Sequence, residues 1–192
     1  MTILLIGLVI FLGVHSTRIV ADGWRGAQIA RIGPGPWKLG YTVLSLIGFY
    51  LLLWGYGAAR QTPVVLWTPP VAMRHIAGLL MLIAFVLLVA TYVPRNGIKA
   101  RVHHPMVLSV KLWALAHLLA NGTLADVLLF GSFLVWAVLS FRAARQRDRA
   151  AGTRYPAGTL TATLATVVVG GVAWAAFAFR LHEWLIGVRP FA

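Results

Sequence analysis

His103-His104-Pro105-Met106-Val107-Leu108-Ser109-Val110-Lys111-Leu112-Trp113-Ala114-Leu115-Ala116-His117-Leu118-Leu119-Ala120-Asn121-Gly122 is an apolar run that carries histidines at both ends and a lysine in between. Its His-Pro opening suits a helix start, because proline at the first helical position lacks only an N–H that would have no partner there. Asn121-Gly122 closes it as a turn. A helix over 104–120 is about 26 Å long at ~1.5 Å per residue, barely enough to cross a bilayer. An ionisable residue inside such a segment costs roughly 2.5–3.5 kcal/mol on insertion scales and marks a functional site. The stretch therefore predicts a membrane helix with His117 as a ligand and the other helices as its pocket.

The whole composition agrees. Hydrophobic residues make up 60% of the 192 positions and charged residues only 11%, against about 25% charged in a soluble domain. A net charge of +13 would point to nucleic acid in a soluble protein. Here the basic residues fall between the apolar runs, so no nucleic-acid partner is expected and they read as anchors against membrane lipid. The absence of cysteine removes disulfides, thiolate ligands and cysteine nucleophiles. Asp22, Asp126, Asp148 and Glu183 are the acidic residues, too few and too scattered for a carboxylate-bridged di-iron site or an acid/base carboxylate pair.

Six spans follow in order. The first, 2–19, contains Gly7, Gly13, His15 and Ser16, and it lacks the basic opening of a secretory signal, so it reads as retained. The second, 37–59, is edged by Trp37 and Lys38 at one end and Trp54, Tyr56 and Arg60 at the other, an aromatic and basic belt. A loop with Pro63, Trp67, Pro69 and Pro70 reads as lying in the interface. The third span is 72–93, the fourth is the opening stretch, and the fifth is 124–141. Arg142, Arg145, Arg147 and Arg149, relieved by Asp148, read as a solvated face. The sixth span, 160–179, contains Gly170, Gly171, Ala173 and Ala175, which permit close helix approach and include one small-xxx-small pair at Gly171 and Ala175. The last residues, 180–192, read as a short tail.

Orientation follows from the basic residues. Arg18, Arg25, Arg31, Lys38, Arg95, Lys99, Arg101, Arg142, Arg145, Arg147, Arg149 and Arg154 lie in connections of one side; Arg60, Arg74, Arg180 and Arg189 lie on the other. Such an excess in short loops places the first side in the cytoplasm and both termini outside. The fold expected is an all-α integral membrane protein, a bundle of six transmembrane helices. Depth then limits which histidines meet. His15 lies about 12 Å above the cytoplasmic boundary and His117 about 20 Å above it, while His104 sits at that boundary. The gap between His15 and His117 is about 8 Å, within reach of helices tilted by ~20°. His15 with His104 fits equally well on depth.

Two membrane histidines on separate helices suit few cofactors. Zinc wants four ligands. Haem needs one or two axial imidazoles and an apolar slot, and Gly13, Ala114, Ala116 and Ala120 are small enough to leave one. Trp113 and Asn121 share the face of His117; Asn121 is placed to orient the imidazole and Trp113 to wall it. Hydrogen-bonded glue between helices and proton or quinone chemistry are the competing readings of the same residues.

The residues Val14-His15-Ser16-Thr17-Arg18, Leu66-Trp67-Thr68-Pro69-Pro70, His104-Pro105-Met106-Val107 and 113–122 resemble the NnrU family from the N-terminus to about Arg149. NnrU proteins are multi-pass proteins of the bacterial inner membrane linked to nitrite and nitric oxide metabolism in denitrification. The family also includes the plant 15-cis-zeta-carotene isomerase, which uses haem b. The resemblance implies one NnrU-like transmembrane domain over 1–192, with core helices within 1–149 and an additional C-terminal helix at 159–180. It implies haem b held by His15 and His117, with His104, thirteen residues before His117, in a supporting role. It also implies components of nitric oxide or nitrite reductase as partners, either for a haem protein with isomerase-like, redox or sensing chemistry or for a non-catalytic assembly factor.

In the isomerase a cysteine stands where this chain has Ala114, so an exchange between sulfur and nitrogen ligation is closed to it. Arg18, one turn past His15, and Lys111 are the basic side chains nearest the expected site; either suits a haem propionate, and Lys111 equally suits snorkelling to the boundary. The core also resembles membrane methyltransferases of the isoprenylcysteine type. Segment 142–155 has none of the glutamates that those enzymes carry after the last core helix.

Overall fold

The computed structural model describes residues 1–191 and is helical throughout, with no strand among the described residues. The helices are α1 (Thr2–Val20), α2 (Asp22–Ile32), α3 (Pro34–Ala59), α4 (Ala72–Tyr92), α5 (Gly97–Val102), α6 (Pro105–Ala120), α7 (Leu124–Ala150), α8 (Leu160–Ala176) and α9 (His182–Ile186). A π-helical segment, Phe177–Leu181, joins α8 to α9.

Five helices are long and apolar enough to cross a membrane: α1, α3, α4, α7 and the continuous run Leu160–Ile186. The opening stretch forms α6, which is shorter at 16 residues, about 24 Å at ~1.5 Å per residue. Proline stands at its N-terminus as expected. Three boundaries differ from the sequence reading. α7 does not stop at Phe141 but continues through the arginines to Ala150, since nothing in that run breaks a helix and its basic residues suit the C-terminal end of the dipole. The tail is partly helical, through the π segment and α9. Between the first two spans, Asp22–Ile32 forms α2, with Asp22 in its first turn and Arg31 in its last.

The packing partners set a serial order: α3 on α1, α1 on α7, α7 on α6, α6 on α4 and α4 on α8. The apolar helices thus form a row. The Arg60 guanidinium, past the end of α3, donates to the Ile186 carbonyl of α9 at 3.1 Å.

Between helices in lipid, association rests on close packing rather than on escape from water. The α1–α3 contact is built that way. A Cβ on Gly7 would meet the backbone of Leu51 and Leu52, one on Gly48 the backbone of Phe11, and one on Gly55 the backbone of Leu4 and Ile3. The core beside it contains Leu4, Leu8, Leu52, Ala59 and Ala125, with Phe11, Tyr56 and Phe133 against them. At α4–α8 the contact glycine is Gly170, against Val86; Gly171 faces open space, so the Gly171–Ala175 pair is not the seam. Large apolar side chains such as Leu46, Leu53, Val168 and Val172 stay more than half exposed on α3 and α8, a surface that suits lipid.

The proline-rich loop after α3 is pinned rather than free. Leu66 and Trp67 donate to the Gly122 carbonyl at 2.8 and 3.2 Å, and Leu124 donates to Val64 at 2.9 Å. The Trp67 carbonyl occupies the place of a Cβ at Gly122, which is why the turn after α6 carries glycine. At the opposite end Asn96, 1% exposed, donates to the Ala90 and Val93 carbonyls and accepts from Lys99. The loops thus gather at two ends, and the connections rich in arginine share one of them: Arg147 donates to the Arg18 carbonyl, and Thr159 to that of Arg95.

Candidate functional site

α1 lies between α3 and α7, and His15 sits where all three meet. Its ring stacks on Phe11 at 4.2 Å, with Tyr41 of α3 at 5.3 Å and Trp136 of α7 at 6.1 Å. Nδ1 hydrogen bonds with the Phe11 carbonyl at 2.7 Å. A carbonyl only accepts, so Nδ1 carries the proton and the lone pair is left on Nε2.

His117 repeats the construction on α6. Its Nδ1 donates to the Trp113 carbonyl at 2.8 Å, and its ring stacks on Phe130 of α7 at 4.6 Å. Both imidazoles are therefore held by the carbonyl four residues back on their own helix. Nε2 of each has no hydrogen-bond partner among the described residues. This is the tautomer and second-nitrogen contact that metal-bound histidines use.

A continuous chain of rings links the two. Phe11 lies 5.8 Å from Phe133, Phe133 lies 5.3 Å from Trp113, and Trp113 lies 5.4 Å from His117. On α7, Phe130 beside His117 and Trp136 beside His15 are six residues apart, a rise of about 9 Å. The indole N–H of Trp136 is buried with no acceptor among the described residues.

Taken singly, each imidazole has what an iron ligand needs: an Nε2 with no hydrogen-bond partner among the described residues and a fixed tautomer. Phe11, Phe133 and Trp113 occupy the interval between the two rings, so an iron held by both requires these side chains to stand aside. No cluster of three or more His, Asp or Glu side chains suited to a metal ion exists among the described residues.

The NnrU family model, described as NnrU protein, matches residues 3–190. The chain belongs to the NnrU family. The match extends past Arg149 and takes in α8 and α9. No curated protein and no solved structure matches this chain.

The other candidate residues of this NnrU chain are placed as follows. Trp113 does stand beside His117, tilted by 50°. Asn121 does not orient the imidazole: its amide donates to the His117 backbone carbonyl at 2.9 Å, capping the end of α6, because the Trp113 carbonyl already holds Nδ1. His104 meets neither histidine. Its Nε2 bonds Asp148 at 2.8 Å, and that carboxylate also accepts from the Tyr155 hydroxyl at 2.9 Å. Asp148 is thus a tie between α6, α7 and the following loop, not part of a solvated face. Burial and the adjacent Asp148 carboxylate hold the Tyr155 phenol above its ordinary pKa. Arg18 lies 3.9 Å from Asp22 and is well exposed. Lys111 has no hydrogen-bond or ion-pair partner among the described residues.

Two polar constellations had not been singled out. Asp126, 4% exposed, accepts from the Tyr56 hydroxyl at 2.6 Å and from the N–H and hydroxyl of Thr123 at 3.0 and 2.6 Å. The Thr123-x-x-Asp126 spacing of a capping box was readable; the partner on α3 was not. Asn96 followed by Gly97 was likewise readable as an N-cap, but its burial under Thr159 and Thr163 was not.

Proposed function

We propose that this member of the NnrU family is a haem b-binding protein of the bacterial inner membrane, with His15 and His117 as the residues that would hold the iron. In this reading it serves nitrite and nitric oxide metabolism through redox or sensing chemistry at iron. The observation that carries the proposal is the matched state of the two imidazoles, each with Nδ1 tied to a backbone carbonyl and Nε2 left with its lone pair. A bound haem would supply one-electron redox change. The chain's own part is to fix the two tautomers, wall the site with Phe130, Trp113, Tyr41 and Trp136, and keep water out. Lys111, with no hydrogen-bond or ion-pair partner among the described residues, is the cation proposed for a propionate. In the proposed orientation the arginine-rich end faces the cytoplasm.

The test is an absorption spectrum of detergent-purified protein expressed with ample haem. A stoichiometric bis-histidine Soret band with sharp reduced bands, lost in His117→Ala and in His15→Ala, is the expected result. Haem-free protein from haem-replete cells overturns it. The rings that fill the interval between the histidines favour a second reading, a non-catalytic assembly factor for nitric oxide or nitrite reductase. Co-purification of a reductase subunit that survives His15→Ala, together with absence of haem, selects that one.

A further inference from the structure

Past the apolar part of α7 lies a groove that neither histidine uses. Arg142, Arg145, Gln146 and Arg149 line it with Phe141, around a volume of about 290 Å³. Residues three and four apart share one stripe of a helix, and like charges there repel. The repulsion is not relieved from within the chain. Asp148, the acidic side chain of this segment, is held by His104 and Tyr155. Arg147 points elsewhere, to the Arg18 carbonyl. Arg142 and Arg149 have no ion-pair or hydrogen-bond partner among the described residues. Arg145 is fixed in place, since its guanidinium donates to Nδ1 of His103, whose ring lies parallel to Tyr155 at 4.2 Å.

We propose that this groove binds a phosphate group at the membrane boundary. The guanidinium fork matches phosphate oxygens two at a time, and the Gln146 amide adds a neutral donor. The apolar run 124–141 is about 27 Å long at ~1.5 Å per residue, so Arg142 stands at headgroup depth when α7 crosses a bilayer. Phe141 gives the groove an apolar floor on the membrane side. The phosphodiester of an anionic phospholipid and free phosphate share this chemistry.

The experiment follows thermal unfolding of the full-length protein in two settings. One is nanodiscs of phosphatidylcholine with and without phosphatidylglycerol; the other is detergent with and without inorganic phosphate at matched ionic strength. A raised midpoint with phosphatidylglycerol alone assigns a lipid headgroup, and one with inorganic phosphate assigns the free anion. The shift is expected to vanish in Arg142→Gln/Arg149→Gln and to persist in Arg147→Gln. The charge-conserving Arg142→Lys/Arg149→Lys pair, which lacks the fork, is expected to weaken the apparent affinity about tenfold per lost contact. No shift with either probe, or equal loss in Arg147→Gln, overturns the site and leaves only diffuse positive charge.

Discussion

At the scale of single residues, what separates the histidines is which nitrogen each has already committed. His15 and His117 commit Nδ1 to a carbonyl of their own helix, whereas His104 commits Nε2 to a carboxylate that α7 brings to it. The expected consequence is an asymmetry: His104→Ala leaves a haem spectrum intact while releasing Asp148, whereas His117→Ala removes the spectrum. Spectra of the two variants, purified side by side, check this, and equal loss in both contradicts it. Asp126 is a second residue-scale case. Its carboxylate answers Tyr56 and both donors of Thr123 while nearly buried, so Asp126→Ala strands three donors. Loss of a cap and of buried hydrogen bonds predicts destabilisation of about 2 kcal/mol or more. Denaturant unfolding in mixed micelles measures it, and a change under about 0.5 kcal/mol, the range of ordinary surface substitutions, counts against the bonds.

At the scale of elements, glycine placement decides which helices touch. Gly55 and Gly57 lie two apart on α3, so their faces differ. A Cβ at Gly55 enters the backbone of Leu4, whereas one at Gly57 meets nothing within 4 Å. Gly55→Ala is expected to cost about 1–3 kcal/mol by forcing α1 away. Gly57→Ala is expected to be neutral, or to stabilise by up to about 1 kcal/mol through helix propensity. Paired unfolding curves test the contrast, and equal effects contradict the α1–α3 seam. The same logic sorts the small residues of α8. Of Gly170, Gly171, Ala173 and Ala175, Gly170 makes the close contact and Gly171 faces open space, because small size permits close approach but does not tell which side of a helix another chain segment will cover. Nor did the arginine run end α7: positive charge marks where an apolar span stops, not where hydrogen-bonded backbone stops.

At the scale of the whole molecule, the chain order and the spatial order differ. The row α3, α1, α7, α6, α4, α8 sets α7 between the helices that carry the two histidines, which is how Phe130 and Trp136 come to flank both. The gathering of arginine-rich connections at one end supports a single proposed orientation, and the lack of native cysteine makes it easy to probe. Thr153→Cys is expected to resist an impermeant maleimide in intact cells, while Gln61→Cys, at the opposite end, reacts. Reversed labelling overturns the proposed orientation.

The sequence alone determined that this is a helical membrane protein, because long apolar runs separated by basic loops leave the backbone no other way to satisfy its hydrogen bonds in lipid. It also determined the start of α6 at the His-Pro pair, the turn at Asn121-Gly122 and the candidates His15 and His117. These are local: each depends on residues within one or two turns. Only the tertiary structure decided the serial order of the helices, the Tyr56–Asp126 bond across 70 residues, the tie of His104 to Asp148 and the ring column between His15 and His117. Those contacts join faces of different helices, and which faces meet depends on crossing geometry that no single segment encodes.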